Sequence, residues 1–535
     1  MRAQGTARAD ILAGRTSLGI ELGSTRIKAC LVGADLADVL ATGGFSWESR
    51  LVDGVWSYDI DDVWEGLRAV YTELVADVHD RYGIRPTTFG AIGISAMMHG
   101  YLAFDTDGAL LTPFRTWRNT GTAAAAAELS ALFGVHVPQR WSVAHLHHAV
   151  RAGEAHTERI AALNTLAGYV HESLTGHRVL GIGDASGMFP IDPATGAYDE
   201  RMLAAYDDLV RDQLPRPLRD LLPEVQRAGT PAGQLTVEGA LLLDPSGLLQ
   251  SGIPLCPPEG DAGTGMVATN AVSPRTGNVS AGTSIFAMVV LERPLSKAHR
   301  ELDVVMTPAG DEVAMVHCNN GASDIAAWAR LFVRFAAAAD RPVDDDVAFD
   351  VLFREALDGE ADAGGLLSYH YLAGEPIAGL SAGHPLLVRS PADSFTLANL
   401  MRSHLYGVFG ALALGMRVLS EEGVRLDRLF AHGGLFRTRG VAQRLLAGAL
   451  NVPVAVGSLA GEGGAWGIAV LASYLAHAER TGLGRYLDEC VFPENDAVVI
   501  APDERDAAGF ASYLERYQAG LAIEAAAVDA MTPRT

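Results

Sequence analysis

The chain has 535 residues, of which 49% are hydrophobic and 20% are charged. This length exceeds what one hydrophobic core supports, so two or more folded domains are expected. The composition is that of an ordinary globular protein and excludes a disordered chain. The formal net charge of −23 opposes contact with phosphate backbones and anionic lipids, so neither nucleic acid nor a membrane is expected as a partner.

The N-terminal segment 1–16 lacks the continuous apolar core of a secretory signal, and a loose tail is expected there. The four cysteines are scattered, without the spacing of a zinc site or a disulfide framework, which fits a reducing compartment. The longest apolar stretch, residues 405–419, is shorter than a bilayer span and contains Arg417, so it predicts a buried helix. We therefore expect a cytoplasmic protein.

The first half of the chain alternates between strand-like and helix-like patterns. Residues 17–33 predict two apolar strands joined by a Gly-Ser-Thr turn, and residues 87–105 form another strand-rich passage. Between them, apolar residues at helical spacing in 61–83 predict a helix. Further helices are predicted at 120–134 and 158–176, so the pattern favours an α/β fold.

The design of the opening strands recurs in the second half. Residues 277–290 again predict an apolar strand, a Gly-Thr-Ser turn and an apolar strand, followed by helix-rich sequence. This repeat predicts two related α/β domains in tandem, comprising residues 17–269 and 270–535.

The two turns have an ordinary and a functional interpretation. Glycine and small polar residues are typical of hairpin turns in general. Such turns also expose backbone N–H groups and hydroxyls that can hold phosphate oxygens, and two of them facing across a cleft could bind a triphosphate. A third glycine-rich element lies in residues 426–454, which predict a strand, a Gly-Gly turn and a helix that an anionic ligand could approach.

Six short motifs, taken in this order, resemble those of the FGGY carbohydrate kinase family. They are GIELGSTRIK (19–28), GISAMMHG (93–100), PFRTWRN (113–119), PEGDAGTGM (258–266), VSAGTS (279–284) and AHGGLFRTRG (431–440). The resemblance extends from about Ser17 to the segment containing Tyr513 and Tyr517. It implies two tandem ribonuclease-H-like domains of the actin and sugar kinase superfamily, with a cleft between them.

The resemblance implies that ATP and Mg²⁺ are used. The residues that it assigns to nucleotide binding are Gly23, Ser24, Thr25 and Lys28 in the first motif, Gly282, Thr283 and Ser284 in the fifth, and Gly433, Gly434 and Leu435 in the sixth. It assigns Mg²⁺ to the carboxylates of Glu21 and Asp261.

Asp261 is the residue to which the resemblance assigns catalysis, as the base that accepts the proton of the sugar hydroxyl. Taken alone, an aspartate beside a glycine is more typical of a turn or a helix cap. Glu21 stands where the family ordinarily has aspartate, and a salt bridge to Lys28 or Arg26 is its alternative role.

The resemblance assigns substrate contacts to Met98, His99, Trp117 and Asn119, together with Asp261. His99 could equally be a structural histidine. Asn119 stands where many members have aspartate. Ala262 stands where pentulose kinases commonly have asparagine, and both changes alter the hydrogen bonding offered to a polyol.

The predicted function is ATP-dependent phosphorylation of a sugar or polyol hydroxyl, with a pentulose such as xylulose or ribulose as the leading substrate. Glycerol, a tetritol or a hexulose are alternatives within the family. A nucleotide-dependent switch of the actin-like superfamily, without sugar kinase activity, is the alternative outside it, and a structural protein with a decayed site is a third. A single sequence does not reveal an interface between subunits, so a homodimer is neither predicted nor excluded.

Overall fold

The computed structural model describes residues 2–34, 36, 38–457, 463–493 and 497–531. The strands are β1 (Ser17–Leu22), β2 (Arg26–Val32), β3 (Val39–Ser46), β4 (Arg50–Val52), β5 (Val55–Ser57), β6 (Ala91–Ala96), β7 (Leu102–Phe104), β8 (Ala162–Asn164), β9 (Val179–Gly181), β10 (Ile191–Asp192), β11 (Ala197–Tyr198), β12 (Glu224–Gln226), β13 (Glu259–Gly260), β14 (Thr276–Ala281), β15 (Ile285–Val290), β16 (Asp303–Met306), β17 (Glu312–Cys318), β18 (Leu367–Tyr369), β19 (Leu386–Val388), β20 (Arg428–His432), β21 (Val454–Val456) and β22 (Val498–Ile500).

The α-helices are α1 (Arg2–Leu12), α2 (Ile60–Tyr82), α3 (Ala123–Phe133), α4 (Ser142–Ala152), α5 (Leu166–Thr175), α6 (Ile182–Ala185), α7 (Glu200–Leu209), α8 (Leu218–Leu221), α9 (Val237–Leu243), α10 (Asp261–Ala268), α11 (Ser323–Ala338), α12 (Asp345–Glu355), α13 (Leu397–Glu421), α14 (Val441–Leu450), α15 (Gly463–Tyr474), α16 (Leu483–Tyr486) and α17 (Glu504–Met531). Short 3₁₀ helices lie at Ala155–Arg159, Ala356–Asp358, Ala363–Gly365, Pro376–Ala378 and Gly434–Phe436, and a π-helical turn lies at Leu487–Val491.

The chain divides into two compact units. The first comprises Met1–Ser273, Val304–Val313 and Gly461–Asn495, and the second comprises Pro274–Asp303, Ala314–Ala460 and Asp496–Thr535. The two tandem α/β domains predicted from the repeat are thus present. Their boundary differs from the predicted division at residue 270, because two later segments belong with the first unit.

The first unit contains a five-stranded sheet in the order β13-β6-β1-β2-β3. Strands β1, β6 and β13 are parallel, whereas β1, β2 and β3 form an antiparallel meander. Because the carboxyl ends of parallel strands meet at one edge of a sheet, the residues at or after these ends are brought close together. Glu21 near the end of β1, residues 97–100 after β6 and Asp261 after β13 therefore share that edge.

Helix α15 packs on this sheet although it is far away in the sequence. A Cβ atom at Gly19 of β1 would lie 2.0 Å from the carbonyl oxygen of Ala465, and one at Gly93 of β6 would lie 2.6 Å from that of Ile468. The small residues of the helix and the strands thus allow backbone-to-backbone packing. This packing explains why residues 461–495 belong to the first unit.

The N-terminal segment differs from the predicted loose tail. Residues Arg2–Leu12 form α1, and the side chain of Ile11 is only 1% exposed within the apolar core of the first unit. Burial of this isoleucine supplies the packing that holds the helix.

The second unit repeats the hairpin of the first. The strands of its sheet follow the order β17-β15-β14-β20-β21-β22, in which β14 and β15 are antiparallel and β14 is parallel to β20. Helix α13 includes the apolar stretch 405–419 and lies in the core, as predicted. None of the helices in the described part of the chain has the length and apolar character needed to cross a membrane.

Candidate functional site

Asp261 is the first residue of α10 and directly follows β13. Its Oδ1 atom accepts a hydrogen bond of 3.0 Å from the backbone N–H of Met98. This contact joins two of the sequence motifs at the carboxyl edge of the first sheet. Asp261 is also partly exposed, so the residue that the resemblance assigns to catalysis is held in place and accessible.

Three carboxyl groups in this region have raised pKa values. Loss of hydration raises the pKa of Asp261 to about 6, although backbone N–H groups at Met98 and Ala262 oppose the shift. Burial raises the pKa of Asp184 to about 7 and that of Glu259 to about 8, with mutual repulsion between these two adding to the Glu259 shift. An acid with a pKa near neutrality is suited to exchanging protons.

Glu259 and Asp184 form the buried support beside Asp261. The Oε2 atom of Glu259 accepts a 2.9 Å hydrogen bond from the backbone N–H of Asp184. The Oδ2 atom of Asp184 accepts one of 2.6 Å from the hydroxyl of Thr165, while its buried Oδ1 atom has no hydrogen-bond partner within the described residues. The sequence reasoning missed Glu259, although it lies two positions before Asp261 in the same motif.

The loop after β6 carries the predicted Met98-His99 pair. His99 has a φ of 70° and Gly100 a φ of 98°, so two consecutive residues adopt left-handed backbone conformations. Such a conformation is costly for a non-glycine residue and is often found at functional sites. The Nδ1 atom of His99 lies 3.4 Å from the carbonyl oxygen of Gly187, and both predicted side chains are less than 10% exposed.

Aromatic side chains hold the first Gly-Ser-Thr turn, residues 23–25. The indole N–H of Trp47 donates to the carbonyl of Gly23 at 2.7 Å, and the hydroxyl of Tyr58 donates to that of Ser24 at 2.5 Å. The indole N–H of Trp117 donates to the hydroxyl oxygen of Ser24 at 3.2 Å. The structure thus gives Trp117 a bracing contact with the turn, and contact with a sugar remains a prediction.

The side chain of Asn119 forms hydrogen bonds with the backbone of residues earlier in the chain. Its Oδ1 atom accepts from the N–H of Trp56 at 2.8 Å, and its Nδ2 donates to the carbonyl of Trp56 at 2.9 Å and to that of Thr116 at 3.0 Å. This amide therefore fixes the loop to β5. Asn119 also lines a cavity of about 450 Å³, together with Arg115 and other residues of the first unit.

Glu21 and Lys28 face each other across the β1-β2 pair. They are register partners, and the Nζ atom of Lys28 lies 4.0 Å from Oε2 of Glu21. This ion pair is the alternative role that the sequence left open for Glu21. Its other oxygen, Oε1, points toward Gly464 of α15, where a Cβ atom would approach it to 2.4 Å. The side chain is 12% exposed, so its carboxylate lies close to protein on several sides.

The predicted oxygen ligands for Mg²⁺ fit that ion chemically. Glu21 lies in β1 and Asp261 directly follows β13, and these parallel strands end at the same sheet edge. Mg²⁺ is commonly bound by one or two carboxylates together with water and phosphate oxygens. Asp261 keeps its orientation through Met98, which leaves the carboxylate preorganised. The residues present are therefore compatible with a metal of this class.

In the second unit, the turn between β14 and β15 contacts the turn that precedes α11. The backbone N–H of Gly321 donates to the carbonyl of Thr283 at 2.8 Å, and that of Ala322 donates to the carbonyl of Gly282 at 2.8 Å. Protein atoms thereby satisfy the carbonyl groups of the turn. A Cβ atom at Gly282 would meet no atom within 4 Å, which leaves open space beside this position.

Gly282→Val tests whether that space receives phosphate groups. We expect ATP affinity to fall by about tenfold or more, about 1.4 kcal/mol, because the new side chain occupies the open side of the turn. The thermal midpoint should change little, since no protein atom is displaced. Isothermal titration with ATP measures the affinity. Gly482→Val is the matched control, because Gly482 also has no neighbour within 4 Å, and unchanged ATP affinity in Gly282→Val contradicts the assignment.

The third glycine-rich element follows β20. Gly433 has φ 106° and ψ 175°, and a Cβ atom there would lie 2.3 Å from the carbonyl oxygen of Ala281 at the end of β14. A Cβ atom at Gly434 would meet nothing within 4 Å. The Leu435 side chain is 2% exposed and belongs to the apolar core, so a ligand could reach only its backbone.

The comparisons with known proteins agree with this arrangement. The sequence model of the N-terminal domain of the FGGY family of carbohydrate kinases matches residues 16–267, and that of the C-terminal domain matches residues 277–476. A search of curated protein sequences found no match.

Several solved structures share the fold over nearly the whole chain. Xylulose kinase from Rhodospirillum rubrum is 23% identical, with a TM-score of 0.76, and the match covers 95% of this chain and 99% of that one. Gluconate kinase from Lactobacillus acidophilus is 18% identical, with a TM-score of 0.76 and coverage of 94% and 98%. Glycerol kinase from Plasmodium falciparum, solved with ADP, is 14% identical, with a TM-score of 0.75 and coverage of 97% and 99%.

These structural matches support the α/β fold, and the two sequence models together cover most of the chain in the expected order. The chain therefore belongs to the FGGY family of carbohydrate kinases.

Proposed function

We propose that this carbohydrate kinase transfers the γ-phosphoryl group of ATP to a hydroxyl of a pentulose such as xylulose or ribulose. The observation that carries the proposal is Asp261, a half-buried residue whose carboxyl has a pKa raised to about 6 and is held by the backbone of Met98 at the carboxyl edge of the sheet. A proton acceptor placed near the attacking oxygen is one of the groups that assist phosphoryl transfer to a hydroxyl.

In the proposed reaction, Asp261 accepts the proton of the acceptor hydroxyl as its oxygen attacks the γ-phosphorus. The bond between that phosphorus and the oxygen bridging to the β-phosphate breaks, and ADP departs with the electron pair. The N–H of Met98 holds one carboxyl oxygen of Asp261, which fixes the orientation of the base. Backbone N–H groups of the turn at residues 23–25 bind phosphate oxygens.

Glu21 and Asp261 are the residues that would hold Mg²⁺. When bound, the ion neutralises negative charge on the transferring phosphate groups. Lys28, which lies 4.0 Å from Glu21, adds a positive charge on the same side of the strand pair. Glu21 is thereby balanced by a cation in the protein itself.

The choice of a polyol substrate is supported by Asp184. Its Oδ1 atom is buried without a hydrogen-bond partner in the described part of the chain, and its carboxyl is close enough to Asp261 to feel that charge. A buried unpaired acceptor is costly, and a substrate hydroxyl could satisfy it. The names of the structurally similar xylulose kinases favour a pentulose, whereas those of the gluconate and glycerol kinases keep other polyols under test.

The pH dependence of the reaction follows from the proton-accepting role. Asp261 must be ionised to act, so kcat/KM should be constant above about pH 7 and fall about tenfold per pH unit below its pKa of about 6. A pH profile of kcat/KM for the sugar measures this limb. ATP affinity over the same range is the control, and a rate that stays constant down to pH 5 contradicts the role.

The proposed function is tested by an ADP-release screen with Mg·ATP against pentuloses, hexuloses, tetritols, gluconate and glycerol. We expect a pentulose to stimulate ADP release most strongly and Asp261→Asn to remove the stimulation. Stimulation by another polyol would correct the substrate. ATP hydrolysis that is indifferent to every polyol would support a nucleotide switch and overturn the proposal.

Two further proposals concern the surroundings of the enzyme. Cys256, Cys318 and Cys490 are free thiols, which supports a cytoplasmic location because that compartment is reducing. A homodimer is the assembly to test, and sedimentation of the purified protein distinguishes it from a monomer.

A further inference from the structure

A cluster of metal-ligating residues lies in the second unit, formed by Asp324, His370 and His404. Asp324 is in the first turn of α11, His370 follows β18 and His404 lies in α13. One ligand atom from each residue lies within 4.8 Å of the other two, and no other group of this kind occurs among the described residues. None of the three belongs to the motifs that the kinase reaction uses.

His370 is fixed between two oxygen atoms. Its Nε2 atom lies 2.8 Å from the carbonyl oxygen of His404, which can only accept, so Nε2 carries a proton. Its Nδ1 atom therefore faces Asp324, at 2.8 Å from Oδ2. A metal-ligating histidine typically donates its other ring N–H to a backbone carbonyl or a carboxylate, and Nε2 of His370 has such a carbonyl partner.

His404 supplies an imidazole without a hydrogen bond. The residue is only 1% exposed, and neither ring nitrogen has a partner in the described part of the chain. The ring therefore has a nitrogen lone pair that no described residue engages. A buried polar group without a hydrogen-bond partner lowers the stability of the folded protein, so a metal ion bound to this ring would be stabilising.

Asp324 adds the negative charge. Its Oδ2 atom lies 2.8 Å from Nδ1 of His370, the ring nitrogen that the backbone carbonyl leaves unused. The side chain is 12% exposed and therefore mostly enclosed. A carboxylate with two imidazoles is a donor set found in zinc sites that retain an exchangeable position.

The cluster opens on a cavity of about 380 Å³. Asp324 and His404 line it together with Trp328, Leu331 and residues 385–387. We propose that Asp324, His370 and His404 bind one divalent transition-metal ion of the zinc class, with its remaining coordination position open to this cavity. Nitrogen ligands favour zinc and its neighbours over Mg²⁺, so this site is distinct from the magnesium site proposed for the kinase reaction.

The test uses the full-length protein, freed of metal with a chelator and without nucleotide. Titration with Zn²⁺ in competition with a chromogenic chelator should show one tightly bound Zn²⁺ ion per chain. Co²⁺ should give the visible absorption of a site with a low coordination number. Bound Zn²⁺ should also raise the thermal midpoint, because it binds only the folded state. A Cys490→Ser background removes the exposed thiol, which could bind metal by itself.

Two variants remove the proposed ligands. His404→Leu should abolish the tight equivalent and the Co²⁺ spectrum, and the metal-free variant should fold because leucine replaces an unpaired buried ring. Asp324→Asn preserves the shape of the side chain and should weaken Zn²⁺ binding by more than about tenfold, since even supporting residues of metal sites contribute about 10–100-fold.

His299→Leu is the matched control. His299 lies 2.6 Å from Oε1 of Glu422 in the same unit, so it forms a histidine-carboxylate pair but lies outside the proposed site. This variant should keep the tight equivalent. Absence of tight binding in the wild-type protein, or tight binding that persists in both folded ligand variants, would overturn the proposal. Only adventitious binding would then remain.

Discussion

Replacing Asp261 with asparagine should lower kcat for sugar phosphorylation by about 10²–10⁴-fold, the usual contribution of a general base. The asparagine oxygen can still accept the hydrogen bond from Met98, so the loop keeps its position while proton acceptance is lost. ATP affinity should therefore remain close to that of the wild-type protein. Steady-state ADP release with the preferred sugar gives kcat, and isothermal titration gives the ATP affinity.

The matched control for this change is Asp208→Asn, because Asp208 is an exposed aspartate on α7 of the same unit. It should leave both kcat and ATP affinity unchanged. If Asp261→Asn retains more than about a tenth of the wild-type kcat, another group accepts the proton. If it instead unfolds the protein, the thermal midpoint reports that failure separately from catalysis.

Gly433→Ala should destabilise the protein by about 3 kcal/mol, whereas Gly434→Ala should leave its stability almost unchanged. The backbone angles of Gly433 fall in a region that essentially only glycine occupies, which costs other residues about 1–3 kcal/mol. Its new Cβ would also lie 2.3 Å from the carbonyl oxygen of Ala281, and overpacking of this kind costs about 1–3 kcal/mol more. Gly434 has neither restriction.

This pair of variants separates stability from nucleotide binding. Denaturant unfolding gives the change in free energy, and ATP titration of the folded Gly434→Ala protein tests whether a ligand approaches that backbone. A loss of ATP affinity at unchanged stability would support the nucleotide assignment of the sixth motif. Equal stability of the two variants would contradict the close approach of Gly433 to Ala281.

The repeated hairpins could be predicted because their information is local. The apolar alternation and the Gly-Ser-Thr and Gly-Thr-Ser turns specify the strand pairs β1-β2 and β14-β15 directly. The partner of α15 could not be predicted in this way. Its small residues indicate that another backbone packs closely against it. The sequence of the helix does not identify that backbone as the strand containing Gly19, more than 400 residues earlier.

Residues of the candidate site could be predicted where a short motif contains a distinctive side chain. They could not be predicted where their role depends on burial and on hydrogen bonds that only the folded structure shows. Asp261 is visible between its glycines, whereas the role of Glu259 depends on its burial beside residue 184. Asn119 is a polar residue in a predicted substrate loop, yet its amide is hydrogen bonded to the backbone of Trp56. A sequence shows which polar atoms are present but not which of them already have hydrogen-bond partners in the folded protein.

The packing of α15 on β1 has a consequence for the order in which the protein is made. Residues 274–303 and 314–460 of the second unit leave the ribosome before α15, which the first unit needs to cover Gly19. The nascent N-terminal region must therefore wait, with part of its sheet uncovered, until the helix that completes it is synthesised. A fragment ending at residue 273 would keep that surface exposed permanently, so it should depend on chaperones or aggregate.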